Sequence, residues 1–96
     1  MNSLEQARLA INFCDHQMLA VLALRMKAVE EVAVYKKANN LPVKDHDREK
    51  NLIRANILVG RNLGLQDHFV ESLTQLVIGY SCQIQEGNDV NQLKKA

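Results

Sequence analysis

Arg25 and Lys36 fall eleven residues apart within an otherwise apolar stripe. On an α-helix that spacing returns to within about 20° of the same direction, so the two cations look along one line. Later in the chain Ser81 and Gln85 form an i, i+4 pair beside Val77 and Ile84, which puts two neutral hydrogen-bonding groups at one spot. Asp45, Arg48 and Glu49 sit within about one turn of each other. Together these residues make a pocket rich in cations, with a few neutral donors and one or two carboxylates. Such a set holds a small ligand by charge and by hydrogen bonds, because a guanidinium and an ammonium are pure donors. Arg8 joins it only on one condition. It lies seventeen residues before Arg25, about 25 Å up the axis and turned by roughly 100°, so one helix cannot bring both to the same ligand. If both act, they come from different chains.

Other chemistries have no residues to carry them. The sequence holds no Ser/His/Asp or Cys/His arrangement, no phosphate-binding loop and no dinucleotide motif. His16, His46 and His68 show no paired spacing with cysteines or carboxylates, so no metal is expected. Each candidate also has a plain structural role. Asp45 or Asp47 suits a helix N-cap, and Glu49 suits a first-turn partner for the helix dipole. Ser81 and Gln85 could be a solvated edge, and a lone Arg or Lys often snorkels or pairs at the surface. It is the combination that lifts the signal.

The elements that must position these side chains are helices. From Leu4 to about Ala38 there is no Gly or Pro, and Ala, Leu, Met, Glu and Lys abound. Leu4, Ile11, Met18, Leu22, Val29 and Val32 recur at helical steps, with Leu19, Met26 and Ala33 beside them. Such a helix runs about 50 Å, longer than a compact domain of this size is wide, and so needs a second chain to cover it. Pro42 breaks the pattern within Asn39 to Lys44. Asp45 or Asp47 opens a second helix at about residues 46–63, through Leu52, Ile53, Asn56 and Leu58, with Gly64 as its stop. Asp67 is expected to cap a third at about 67–86, with Val70, Leu73, Val77 and Ile84 as its apolar positions and Gly87 after it. Residues 88–96 read as a polar, frayed tail. No segment alternates as a strand would, so the fold class is all-α: one long helix and two shorter ones.

Composition narrows the partners. Ninety-six residues, 47% hydrophobic, make one domain of marginal size, for which self-association is expected. Twelve Lys and Arg nearly balance eleven Asp and Glu and are interspersed with them, which argues against nucleic acid or a membrane surface. The apolar run from Met18 ends at Arg25, far short of the roughly 20 residues that span a bilayer. With no apolar N-terminal segment, Cys14 and Cys82 are read as free thiols, small core or boundary residues of a cytoplasmic protein.

The stretches Arg25-Met26 through Val32-Ala33-Val34-Tyr35-Lys36, Leu41-Pro42-Val43-Lys44-Asp45 and Asp47-Arg48-Glu49 resemble the all-helical chorismate mutases, and the likeness extends over roughly residues 4–86. Ala7, Asn12 and Leu24 depart from the usual pattern of that family. The resemblance implies a single chorismate mutase domain over residues 1–96, folded as an intertwined homodimer. It implies the Claisen rearrangement of chorismate to prephenate in phenylalanine and tyrosine biosynthesis, with no cofactor, nucleophile or general base. It also implies roles. Arg25 and Arg8 of the other chain would clamp the two carboxylates, with Arg48 and Ser81 assisting. Lys36 would contact a carboxylate and the ether oxygen, Gln85 would donate to that oxygen, and Glu49 with Asp45 nearby would take the ring hydroxyl. The expected protein is a free-standing, monofunctional cytoplasmic enzyme, with a partner enzyme of the same pathway left open. The alternatives are an isochorismate pyruvate lyase of the same fold and a non-catalytic helical dimerisation module.

Overall fold

The computed structural model describes residues 2–87. Three helices follow one another: α1 (Ser3–Ala38), α2 (His46–Asn62) and α3 (Asp67–Glu86), with no strand among the described residues. The all-helical, three-helix architecture expected from the sequence is therefore present. The polar tail expected at 88–96 lies outside the described residues.

Local chemistry explains the ends of these helices. Asn2 opens α1 by accepting the Glu5 backbone N–H on its side chain at 2.8 Å. At the other end Asn40 takes a left-handed conformation (φ 55°), which asparagine tolerates better than most residues. The backbone N–H groups of Asn40 and Leu41 fold back onto the carbonyls of Lys37 and Lys36, closing the helix with a Schellman motif. Asp45, rather than Asp47, is the cap of α2, its Oδ1 accepting the Arg48 backbone N–H at 3.1 Å. Gly64 (φ 82°) ends α2 in the same Schellman fashion, with Leu65 N–H donating to the Gly60 carbonyl. One expectation is corrected. Asp67 does not cap α3: Gln66 holds that position without a side-chain hydrogen bond, and Asp67 is the first helical residue. Its carboxylate is taken instead by Arg61, which grips both oxygens at 2.7 to 3.1 Å. Those hydrogen bonds first, and the Arg61 charge after them, hold the Asp67 carboxyl below its usual range.

α3 is the centre of the molecule. It packs on α1 on one side and α2 on the other, and α1 and α2 do not pack on each other. The buried residues follow from this: Val70, Thr74, Ile78, Ser81, Cys82 and Ile84 of α3, and Gly60 of α2. On α1 the half-buried positions are Leu22, Arg25, Met26, Val29, Ala33 and Lys36, a helical stripe confined to the second half of the helix. Every described residue before Leu22 is exposed, including Phe13 at 65%. Leu73, one of the expected apolar positions of α3, is also exposed; Thr74 takes the inward position beside it. The chain extends 56 × 35 × 16 Å with a radius of gyration of 16.5 Å, against about 13 Å for a compact chain of similar length.

α2 and α3 pack tightly at Gly60. A Cβ there would lie 2.6 Å from Cγ2 of Val70, a buried side chain whose branching leaves it little rotational freedom. Gly60→Ala is therefore expected to push the helices apart and cost about 1–3 kcal/mol, outweighing the roughly 1 kcal/mol that alanine gains in helix propensity. Thermal unfolding should register a fall of several degrees.

Candidate active site

A cavity of about 150 Å³ opens where α1, the 39–45 connection, α2 and α3 meet. Of the eight residues singled out from the sequence, Arg25, Lys36, Asp45, Arg48, Glu49, Ser81 and Gln85 all line it. Arg8 does not; it is exposed in the first half of α1.

Arg25, Ser81, Lys36 and the Gln85 carbonyl oxygen are tied to one another or to nearby backbone. The Arg25 guanidinium donates to Ser81 Oγ at 2.5 Å, and the same hydroxyl donates to the Val77 carbonyl at 2.8 Å. Ser81 is buried, so the solvated-edge alternative does not apply to it. Its hydroxyl serves as a fixed post for Arg25. Lys36 Nζ donates to the Val43 carbonyl at 2.7 Å and to Gln85 Oε1 at 2.9 Å. An ammonium has three N–H donors, so one remains available to a ligand. Because lysine can only donate, the Gln85 atom facing it must be the carbonyl oxygen. The Gln85 amide N–H₂ is thereby turned elsewhere and has no partner among the described residues.

The carboxylates are committed locally. Asp45 caps α2, and Glu49 lies 3.6 Å from Lys44 Nζ. Neither neutralises a cavity cation, and Arg25, Lys36 and Arg48 form no ion pair among the described residues. Burial, and then the charge of Arg48, lower the pKa of Arg25 from its ordinary value. It stays protonated at any ordinary pH, but its environment favours a negative partner. Among the described residues no three of His, Cys, Asp and Glu cluster as metal ligands would.

Two parts of the cavity carry no distinguishing sequence pattern. The Val43 carbonyl is a backbone group with no signature in sequence, reached only because the Schellman turn and Pro42 double the chain back over Lys36. Val29, Val32, Leu52, Ile78 and Cys82 form the apolar walls. Their helical periodicity marks them as inward-facing without separating a cavity wall from a packed core.

Fold and cavity together define an all-helical protein whose site is lined by unpaired cations and neutral donors. The model of the family described as "Chorismate mutase type II" matches residues 7–86. The chain is 35% identical over 85 residues to the bifunctional chorismate mutase/prephenate dehydratase of Escherichia coli (strain K12), covering 88% of this chain and 22% of that protein. The protein of the same name from Enterobacter agglomerans is likewise 35% identical over 85 residues, and that from Buchnera aphidicola subsp. Acyrthosiphon pisum is 33% identical, with the same shares covered. The chain belongs to the chorismate mutase type II family. It spans about a fifth of the length of the curated relatives it matches. Among the described residues no helix is long and apolar enough to cross a membrane.

Proposed function

We propose that the protein converts chorismate to prephenate, acting as a cytoplasmic homodimer in which each site is completed by Arg8 from the other chain. One observation carries this: the cavity gathers Arg25, Lys36 and Arg48, and among the described residues none of them is paired with a carboxylate. A flexible dianion would supply the missing charge. In the rearrangement the ether C–O bond breaks as the new C–C bond forms within the same molecule, so no group need attack the substrate and no proton need move. What the protein supplies is restraint of the folded conformer and stabilisation of the charge that grows on the ether oxygen.

The roles follow from the donors. Arg25, held by Ser81, grips one carboxylate, since a guanidinium fork meets a carboxylate with two bonds. The partner's Arg8 grips the other, with Arg48 assisting. Lys36 keeps one N–H for the substrate, at a carboxylate and the ether oxygen. The Gln85 amide N–H₂, turned outward by Lys36, donates to the ether oxygen from the other side. Glu49, with Asp45 close by, accepts the ring hydroxyl.

The homodimer is supported by what a single chain leaves open. Among the described residues, every position of α1 before Leu22 is exposed. An apolar groove of about 750 Å³ also runs between α1 and α3, lined by Leu19, Leu22, Met26, Leu76, Val77 and Tyr80. A second α1 would fill such a groove and deliver an arginine that its own chain cannot use.

Complementation tests the shared site. Arg8→Ala and Lys36→Ala should each be nearly inactive alone. In a mixed dimer the Lys36→Ala chain lends its intact Arg8 to the site that keeps Lys36, so random re-pairing of equal amounts should restore about a quarter of wild-type activity. No recovery on mixing, with mixed dimers verified, would overturn the cross-chain role of Arg8.

A further inference from the structure

Arg48 and Glu49 reach the cavity on α2, yet α2 has no packing contact with α1, which carries Arg25 and Lys36. Their placement across the site therefore depends on how α2 seats on α3. That seat has a regular register. Gly60 of α2 meets Val70 of α3, and four residues earlier on α2 the Asn56 Nδ2 donates to Oγ1 of Thr74, four residues later on α3, at 3.2 Å. Continuing the same antiparallel steps reaches Leu52 and Ile78, then Arg48 and Cys82, all on the cavity wall, and near its end Asp45 and Gln85. The cavity is the continuation of the register that these two contacts set.

The contacts differ in what they can specify. Most apolar side chains repeat at three- and four-residue steps along both helices and fit nearly as well after a slip of one turn; Gly60 against Val70 opposes such a slip by steric fit alone, with no direction of its own. A directional hydrogen bond between a half-buried amide and a buried hydroxyl is satisfied in one register only, and a slip would strand both groups. We infer that Asn56 and Thr74 are positioning residues for catalysis, fixing the register that holds Arg48 and Glu49 opposite Lys36. Neither lines the cavity. This rests on the assignment of the cavity as the active site.

The test replaces both partners with apolar groups of similar shape, Asn56→Leu with Thr74→Val, so that no orphaned polar atom remains and thermal stability stays near that of the wild type. The double variant is expected to lose about ten- to hundredfold in kcat/KM for prephenate formation, as displaced catalytic groups do. In an Arg48→Ala background the same pair of changes should cost markedly less, because the group they position is already gone. Thr74→Ser, which keeps the hydroxyl, should retain activity. Full kcat/KM in a stably folded double variant, or an equal loss with and without Arg48, would overturn the inference. A second readout needs no activity. Spin labels at Asn51→Cys and Gln83→Cys, in a Cys14→Ser background diluted with unlabelled chain, should show one intrachain distance with the native pair. The double variant should show a shifted or broadened distribution, and an unchanged one would overturn the inference. Wild-type protein inert towards chorismate would overturn the assignment of the site, leaving the register to be decided by these distances.

Discussion

Lys36→Ala is expected to lower kcat by about a hundred- to thousandfold, the usual cost of removing one preorganised donor from a developing oxyanion. Three consequences of the side chain's geometry converge in this loss. The donor reserved for the substrate disappears. The Gln85 amide loses the ammonium that orients it, so its N–H₂ no longer has a fixed direction. The Val43 carbonyl also loses its tie to α1, releasing the connection that leads into Asp45 and the start of α2. Lys36→Arg should rescue little, because a planar fork cannot take the place of a compact ammonium between the Val43 carbonyl and Gln85 Oε1. Steady-state assay gives the rate, and far-UV circular dichroism should show that the helices persist. Retention of more than about a tenth of wild-type kcat would remove Lys36 from the role assigned to it.

Gln85→Glu is expected to convert a pH-insensitive enzyme into an acid-dependent one. At neutral pH the new carboxylate has two acceptor oxygens and no donor, so the hydrogen bond to the ether oxygen is replaced by repulsion. The adjacent Lys36 ammonium, 2.9 Å from the present Oε1, favours the ionised form and holds the carboxyl below the ordinary glutamate range. The donor returns only with protonation, whose extent above the carboxyl pKa grows tenfold for each unit that pH falls. Activity should therefore rise about tenfold per unit between pH 8 and 5, while the wild type stays nearly flat. A Gln85→Glu variant as active at pH 8 as at pH 5 would exclude donation from this position.

Periodicity made part of this site readable in sequence. Arg25 and Lys36 interrupt an apolar stripe at a spacing that any α-helix turns into one direction. Ser81 and Gln85 needed only the i, i+4 rule to be placed side by side. The Asp45 to Glu49 cluster could be placed because a break at Pro42 followed by acidic residues marks a helix start. Contacts that depend on register between helices lay beyond that logic. The Asn56–Thr74 hydrogen bond and the Gly60–Val70 contact join residues whose types suggest no partner until α2 is seated on α3. Leu73 shows a second limit. Apolar spacing says that a face is buried without saying by what, and this leucine stays exposed within one chain. Asp67 failed as a cap because Arg61, six residues away in sequence, competes for its carboxylate across the turn after Gly64.

This cavity is expected to rearrange chorismate. The most direct measurement mixes the purified protein with chorismate and follows loss of substrate and formation of prephenate, with isochorismate run in parallel and pyruvate scored. Prephenate formed by the wild type and nearly abolished in Lys36→Ala is the expected result. Pyruvate from isochorismate with little prephenate, or no turnover of either compound, would contradict it.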